Sequence, residues 1–194
     1  RVMAGEKLSS FGLREERPNQ FSVKEAVLPF ARFPGADLLL GPEMKSTGES
    51  MGIADSFASA FAKAQLGALV DLPTSGGILF SVEEADQEEA VALAVRLSYL
   101  GFQIFGLGIT GKNLEAKGVD VETLSLKGKK ERNVFSRISR GDIRLFIETG
   151  ASGTRMEATT SLRLALGSQN VGYCGRLRHA RATVDAVHLL RLAH

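Results

Sequence analysis

The residues best suited to bind an anion lie in two segments rich in glycine and hydroxyl groups. The first is GLGITG at residues 106–111, and the second is ETGASGT at residues 148–154. Backbone N–H groups of glycine-rich loops and of helix N-termini can cradle a phosphate. Neither segment fits the dinucleotide pattern G-x-G-x-x-G or the P-loop pattern G-x-x-x-x-G-K-[ST] in its required context. The glycines therefore have two open interpretations, which are anion binding and tight turns between strands and helices.

Acid–base and nucleophilic groups form no catalytic pattern. His179, His188 and His194 all lie in the last sixteen residues, so none is expected beside a nucleophile at a strand end. Cys174 is the single cysteine, which excludes an internal disulfide and leaves no zinc-ligand spacing. The acidic run at residues 83–89 is best explained by helix capping and the helix dipole. We predict no catalytic residue and no metal site.

The composition is that of a soluble globular protein. Of 194 residues, 44% are hydrophobic and 24% are charged, which excludes disordered and collagen-like classes. No apolar run approaches the ~20 residues needed to cross a bilayer, and the start lacks the apolar centre of a signal peptide, so we expect a cytoplasmic protein. Residues 126–194 carry 13 Lys and Arg against 5 Asp and Glu, a net charge of +8. This basic half favours either an anionic partner or solvated helix faces.

Short apolar runs alternate with amphipathic segments from residue 78 onward. Five buried strands alternating with helices predict an α/β fold with a parallel sheet flanked by helices. The predicted strands lie in ILFSV, FQIFGLG, VETLSL, IRLFIET and NVGYCG. Ligands of such sheets bind beyond the carboxyl ends of the strands. The loops of interest are therefore Ser81–Gln87, Gly106–Gly111, Leu126–Lys130 and Glu148–Thr154.

Residues at the predicted helix ends are of types that cap helices. Asp86 with Glu89, and Thr154 with Glu157, have the spacing of capping boxes. Three glycines are predicted to follow helix C-termini, namely Gly101, Gly118 and Gly141. The last helix is predicted to bury a stripe of Leu177, Ala180, Val184, Val187 and Leu190.

The first 77 residues lack the alternating pattern. Residues 1–50 contain strand-like pieces but too few elements to close a core, which predicts the tail of a larger domain. Residues 51–77 are predicted to form a helix and a linker, with the helix capped by Asp55 or Ser56. One face of that helix is predicted to hold Phe57, Ala60, Phe61 and Ala64. Residues 78–194 are predicted to be the α/β domain.

Residues 21–67, which contain the motif GPEMKSTGE, closely resemble a segment of the carbamoyl-phosphate synthase large subunit family. RVMAG at the start and LFSVEEADQEEAV at residues 79–91 also fit that family. The resemblance covers essentially the whole chain. It implies that residues 1–50 end the second ATP-grasp unit and that residues 78–194 form a methylglyoxal-synthase-like, Rossmann-type regulatory domain.

The resemblance also implies a place in a ligase. The parent enzyme makes carbamoyl phosphate from bicarbonate, glutamine-derived ammonia and two ATP, for arginine and pyrimidine synthesis. ATP with magnesium or manganese would serve the parent enzyme, whereas this fragment would need no cofactor and would have no activity of its own. The implied partners are the rest of the large subunit, a glutamine amidotransferase small subunit, a nucleotide or ornithine effector, and a second regulatory domain through self-association.

By the same resemblance, a nucleotide effector would contact Ser81, Thr110, Lys127 and Thr149. The chain departs from the family pattern at five positions in these loops. Two lysines are replaced by Gln87 and Leu126, two threonines by Leu107 and Gly150, and an asparagine by Glu148. Losing cations and gaining an anion predicts a weakened or retuned phosphate site.

The resemblance implies a second effector site, for an ornithine-type activator. Its candidates are Glu25, in the SVKE motif, and Tyr173, after the last strand. From the residues alone, Glu25 can equally be an exposed strand carboxylate and Tyr173 a half-buried core residue.

Two other functions stay open. A stand-alone lyase like methylglyoxal synthase would share the fold, but it needs a catalytic Asp and His at strand ends, a pair that the four loops lack. A nucleic-acid-binding domain would use the basic half. It lacks a recognisable module, and Phe135 is predicted to join Val134 and Ile138 in the core rather than to stack on bases.

Overall fold

The computed structural model describes residues 1–15, 18–28, 37–38, 48–127, 132–150 and 153–192, with the backbone alone for residues 153–157. The strands are β1 (Phe21–Val27), β2 (Gly48–Ala54), β3 (Gly77–Ser81), β4 (Gln103–Leu107), β5 (Val121–Leu124), β6 (Ile143–Glu148) and β7 (Gly172–Cys174). The helices are α1 (Phe57–Gly67), α2 (Gln87–Tyr99), α3 (Ile109–Ala116), α4 (Val134–Ser139), α5 (Gly153–Ser168) and α6 (Leu177–Leu192).

Strands β3 to β7 form one parallel sheet in the order β5-β4-β3-β6-β7. Each predicted apolar run contributes one strand, so the α/β class and the five-stranded parallel sheet are confirmed. The chain moves outward from β3 through β4 to β5, and then returns to place β6 and β7 on the other side. The strand order therefore switches between β3 and β6, where the loops after these strands lead to opposite faces.

Two hydrophobic cores cover the two faces of the sheet. Successive residues of a strand point to opposite faces. Ile78 and Phe80 therefore pack with the apolar sides of α2 and α6, whereas Leu79 packs with those of α4 and α5. All three side chains are fully buried, which explains why the central strand reads as a continuous apolar run.

Strands β1 and β2 are antiparallel and pack on α1. Gly52 allows this close packing, because a Cβ there would overlap the Ala60 carbonyl oxygen and lie 2.6 Å from the Ala64 nitrogen. Strand β2 runs across the predicted boundary between residues 50 and 51, and α1 packs against it. The domain limits and the assignment to an ATP-grasp tail stay predictions.

Helix α1 confirms its predicted start and its predicted face. Ser56 is the N-cap, and its hydroxyl oxygen accepts the Ser59 N–H at 3.2 Å. Ala60 and Phe61 are buried, but Phe57 is 46% exposed. Phe57 still lies on the predicted face, because its ring centroid is 6.1 Å from that of Phe61 and its ring also packs edge-on against Phe21.

The predicted glycine positions at helix ends are confirmed. Gly101, Gly118 and Gly141 directly follow the C-caps of α2, α3 and α4, with φ angles of 83°, 82° and 73°. This left-handed conformation is costly for residues with a Cβ, which explains the residue type.

The predicted capping box of Asp86 and Glu89 is wrong. A 3-10 turn at Glu84–Asp86 already gives Asp86 a right-handed helical conformation, and its side chain makes no capping hydrogen bond. Glu89 instead pairs with Arg181 on α6. The side chains of Thr154 and Glu157 lie outside the described residues.

Helices α4 and α6 present the predicted apolar faces. Val134 and Ile138 are buried, and Phe135 packs partly buried against the same core, so this aromatic ring is a core residue as predicted. The buried stripe of α6 consists of Leu177, Ala180, Val184 and Val187, and Leu190 is half-buried. None of the described helices combines the length and apolarity needed to span a lipid bilayer.

Candidate functional site

Three of the predicted nucleotide-site residues meet at the carboxyl end of the sheet. Ser81 ends β3, Thr110 lies in the first turn of α3, and Thr149 follows β6. The Val82 N–H donates to Thr110 Oγ1 at 3.1 Å, and the Thr149 N–H donates to the Ser81 carbonyl at 3.0 Å. The structure therefore brings these three residues together around the turn that follows β3.

The two threonine hydroxyls hold this turn in place. Thr110 Oγ1 accepts the Val82 N–H and lies 3.3 Å from the Val82 carbonyl, to which it can donate. Thr149 Oγ1 accepts the Glu83 N–H at 3.1 Å. Both threonines are buried, so these hydrogen bonds satisfy backbone groups that would otherwise be costly to bury. An anion that used the hydroxyls of both threonines would have to replace some of these bonds.

Gln87 borders this turn, whereas Lys127 follows the edge strand β5, two strands away from β3. Gln87 Nε2 donates to the Val82 carbonyl at 2.9 Å, and its buried Oε1 has no hydrogen-bond partner among the described residues. Lys127 is exposed after β5 and makes no hydrogen bond or ion pair with the residues that the structure describes. Residues 128–131 of the same loop lie outside the described residues. The nucleotide site stays a prediction, in which Gln87 supplies a neutral donor where the family pattern has a charge.

The GLGITG segment is shaped by packing. A Cβ at Gly106 would overlap the Gly111 Cα and lie 2.7 Å from its nitrogen. A Cβ at Gly111 would lie 2.5 Å from Thr123 Oγ1 on the neighbouring strand. Gly108 has a φ of 54° where β4 turns into α3. Each glycine is therefore explained by close contact between β4, α3 and β5, or by the turn between them.

Glu148 is the centre of a polar network that the sequence analysis missed. Its carboxylate accepts two hydrogen bonds from Arg163 Nη1, each 3.2 Å long, and one from the Tyr173 hydroxyl at 2.9 Å. Arg163 on α5 also donates to Asp37 at 2.6 and 2.9 Å and to Thr159 at 2.7 Å. Glu148 and Arg163 are both fully buried.

The network changes how Glu148 acts on an anion. From the sequence, its carboxylate is an uncompensated charge facing a phosphate. In the fold, the Arg163 guanidinium neutralises it, so its repulsion of an anion is weaker than the sequence suggested. Burial disfavours the charged form of Arg163, but the bonds and charges of Asp37 and Glu148 outweigh it and raise the pKa. Burial, reinforced by Glu148, also raises the pKa of Tyr173.

Of the two candidates for the ornithine-type site, Glu25 on β1 contacts α1, whereas Tyr173 lies in β7 and its hydroxyl donates to Glu148. The Glu25 carboxylate accepts a 2.9 Å hydrogen bond from Gln65 Nε2, and burial raises its pKa. Gln65 and Tyr173 line a cavity of about 20 Å³, together with Cys174 and His179. This volume is near that of one water molecule. An amino acid would fit only if the elements around the cavity moved apart.

Cys174 and His179 at this cavity are structural groups. The Cys174 thiol is buried and hydrogen-bonded with Thr183 at 3.5 Å, and burial raises its pKa to about 12. So little thiolate is present near neutral pH that the thiol is a poor nucleophile. His179 packs edge-on against Phe61, with ring centroids 5.8 Å apart. Within the described part of the chain, no group of three or more His, Cys, Asp or Glu residues could hold a metal ion.

His179 should make stability depend on pH. Burial lowers its pKa, so the unfolded chain takes up a proton first as the pH falls. The stability that neutral His179 supports is complete above about pH 6.5 and is lost as the pH falls below that value. We expect His179→Gln to flatten the fall in unfolding free energy between about pH 7 and pH 5 by at most about 1.4 kcal/mol per pH unit. Urea denaturation at several pH values measures this.

The control for His179 is His188→Gln on the exposed side of α6. This variant should keep the pH dependence of the unmodified chain. Parallel stability curves for His179→Gln and the unmodified chain would contradict the assignment.

Comparisons with known proteins identify relatives by sequence. No protein-family model matches the chain. The chain is 43% identical over 164 residues to the carbamoyl phosphate synthase large chain of Pseudomonas putida, and 39% identical over 198 residues to that of Brucella suis. It is 47% identical over 135 residues to the large chain of Thermotoga maritima. These matches cover 84%, 98% and 70% of this chain, but only 15%, 17% and 12% of the relatives.

Among solved structures, methylglyoxal synthase from Elizabethkingia anophelis superimposes with a TM-score of 0.44 and 18% identity. The match covers 58% of this chain and 79% of that one.

Identities of 39–47% over 70–98% of the chain cannot arise from shared α/β patterning alone. The chain is therefore homologous to a segment of the carbamoyl phosphate synthase large chain, as its sequence motifs indicated.

Proposed function

We propose that this chain is the regulatory C-terminal part of the large subunit of a glutamine-dependent carbamoyl phosphate synthase. The observation that carries the proposal is its identity of 39–47% to large chains. The whole enzyme would make carbamoyl phosphate from bicarbonate, glutamine-derived ammonia and two ATP, for arginine and pyrimidine synthesis. The part represented here would bind effectors and contribute to self-association, in the cytoplasm.

The proposal leaves the chemical steps to other parts of the enzyme. Phosphoryl transfer needs positioned metal ions, phosphates and cations. ATP with magnesium or manganese would bind in the rest of the large subunit, and ammonia would come from an amidotransferase small subunit. This segment would then have no ATP-dependent activity of its own.

A nucleotide effector would bind at the carboxyl end of the sheet in this proposal. Its phosphate would lie over the turn held by Thr110 and Thr149, near Ser81, with Lys127 as the nearby cation. The convergence of these hydroxyls at the strand switch supports the location. The neutral side chain of Gln87 and the existing bonds of Thr110 both predict weak binding.

The activator site is proposed for Glu25 on β1 and Tyr173 on β7. A cationic amine would pair with the Glu25 carboxylate, which now accepts the Gln65 amide. Because the adjoining cavity holds about one water, binding would require α1 and β7 to separate locally. We therefore expect an ornithine-type ligand to bind only with a change in the packing of α1.

The nucleotide proposal is tested by adding the missing charge. Gln87→Lys should strengthen uridylate or inosinate binding by at least about tenfold, because a charge-assisted hydrogen bond contributes about 1.5–3 kcal/mol. The unmodified chain should bind at least about tenfold more weakly than a relative with both family lysines. Isothermal titration calorimetry at fixed ionic strength measures both.

A matched control separates a site from general charge attraction. Gln169→Lys adds the same charge at an exposed position near the other end of the sheet, before β7. We expect it to change nucleotide affinity by less than about twofold at physiological salt. Equal gains from the two variants, or submicromolar binding by the unmodified chain, would mean that the phosphate site is elsewhere.

A further inference from the structure

Residues Asp37 and Leu38 attach the N-terminal part of the chain to the α/β domain. Leu38 is 5% exposed and belongs to the core between the sheet and helices α4 and α5. Asp37 pairs with Arg163, which lies 126 positions later in the chain. An apolar side chain and an ion pair therefore fasten the same two residues to one face of the domain.

The Arg163 guanidinium binds two carboxylates at once, those of Asp37 and Glu148. Arg163 Nε and Nη2 donate to the two carboxylate oxygens of Asp37, while Nη1 donates to Glu148 and Thr159. A guanidinium is planar and presents its donors in a fixed arrangement. If the Asp37 carboxylate shifts, the guanidinium shifts with it, and the Arg163 N–H that donates to Glu148 moves as well.

Glu148 extends the contact to the turn beyond the strand ends. It is the last residue of β6 and is followed by Thr149, whose N–H and hydroxyl hold the Ser81 carbonyl and the Glu83 N–H. Gly150 comes next, with a φ of 66° and with the Glu83 side chain packed on it. A shift of the Glu148 backbone would therefore move Thr149 and strain the two hydrogen bonds that join the turns at residues 81–83 and 148–150.

We propose that Arg163 couples two structural states, so that docking of the Asp37–Leu38 segment and the joined arrangement of the turns at residues 81–83 and 148–150 stabilise each other. The coupling lies within the chain and goes beyond the proposed effector function, because it needs no bound nucleotide. It would convert a change at the strand ends into a change in how firmly the preceding segment is attached.

Coupling is reciprocal, and that supplies the test. Asp37→Asn keeps the shape of the side chain and removes its charge. In amide hydrogen exchange by NMR on the whole chain, it should speed exchange of the Glu83 and Thr149 amides by about fivefold or more. Thr149→Val, which removes the bond to Glu83, should in turn speed exchange at residues 37–38 by more than about twofold.

A control variant and a stability measurement complete the experiment. Glu89→Gln removes half of the exposed ion pair with Arg181 and should leave both regions within about twofold of the unmodified chain. Urea titrations of each variant show whether faster exchange comes from local opening or from global unfolding. Because Thr149→Val replaces none of the charged residues, it tests the coupling even if Asp37→Asn unfolds the chain.

The proposal fails if Asp37→Asn speeds exchange only at residues 37–38. It also fails if Thr149→Val leaves residues 37–38 unchanged, or if Glu89→Gln has the same effect as Asp37→Asn. Reciprocal changes that are specific to the two test variants support it.

Discussion

Arg163→Met should lower the free energy of unfolding by about 3–5 kcal/mol, because it leaves a buried carboxylate without its cation. Glu148 and Arg163 are both fully buried, so water cannot replace the lost partner. Methionine keeps much of the side-chain volume, which limits the additional cost of a cavity. Chemical denaturation at pH 7, monitored by circular dichroism, measures the change.

Two further variants identify the source of this loss. Adding Glu148→Gln to Arg163→Met should recover part of the stability, because a buried neutral amide costs less than a buried charge. Arg181→Met removes an exposed ion pair with Glu89 and should cost less than about 1 kcal/mol. A loss below about 1 kcal/mol for Arg163→Met would show that the buried network does not stabilise the fold.

Gly106→Ala should lower the free energy of unfolding by about 3 kcal/mol, because the new methyl group would overlap the backbone of Gly111. Backbone atoms cannot rotate away as a side chain can, so β4 and α3 would have to separate. The same change should leave the free energy of nucleotide binding little altered when corrected for folding. Thermal and urea unfolding of the variant measure the loss.

Gly48→Ala is the matched control for this prediction. Gly48 also lies in a strand, but no atom of the described part of the chain is within 4 Å of a Cβ built there. We expect a change of less than about 0.5 kcal/mol. If Gly106→Ala were equally mild, the packing explanation of the GLGITG glycines would be wrong, and their interpretation as an anion-binding loop would regain support.

The sheet was predictable because its signals are local. Runs such as ILFSV and IRLFIET are apolar on both strand faces, and only a sheet covered on both sides buries such runs. Gly101, Gly118 and Gly141 marked helix ends through a backbone conformation that glycine adopts at low cost. Asp86 was misjudged because the preceding 3-10 turn, which the capping pattern does not encode, had already set its backbone.

The convergence of Ser81, Thr110 and Thr149 was also predictable in outline. Parallel strands end at one edge of the sheet, so residues that follow them approach each other. What the sequence did not show is that the Thr110 and Thr149 hydroxyls hold the β3 turn. A side-chain hydroxyl can bind a backbone group or a ligand, and only the folded geometry distinguishes these uses.

Local signals in the sequence were enough to predict the α/β class, the five strands, the helix ends at three glycines and the relationship to carbamoyl phosphate synthase large chains. Periodicity, turn residues and motifs are properties of neighbouring positions. The state of Glu148 depends instead on long-range contacts, because Arg163 neutralises its charge and Tyr173 and Asp37 help to fix the pair. Asp37 and Arg163 are 126 positions apart, and many carboxylates and cations in the chain carry equal charges. Which of them become partners depends on which are buried together, and burial is a property of the whole fold.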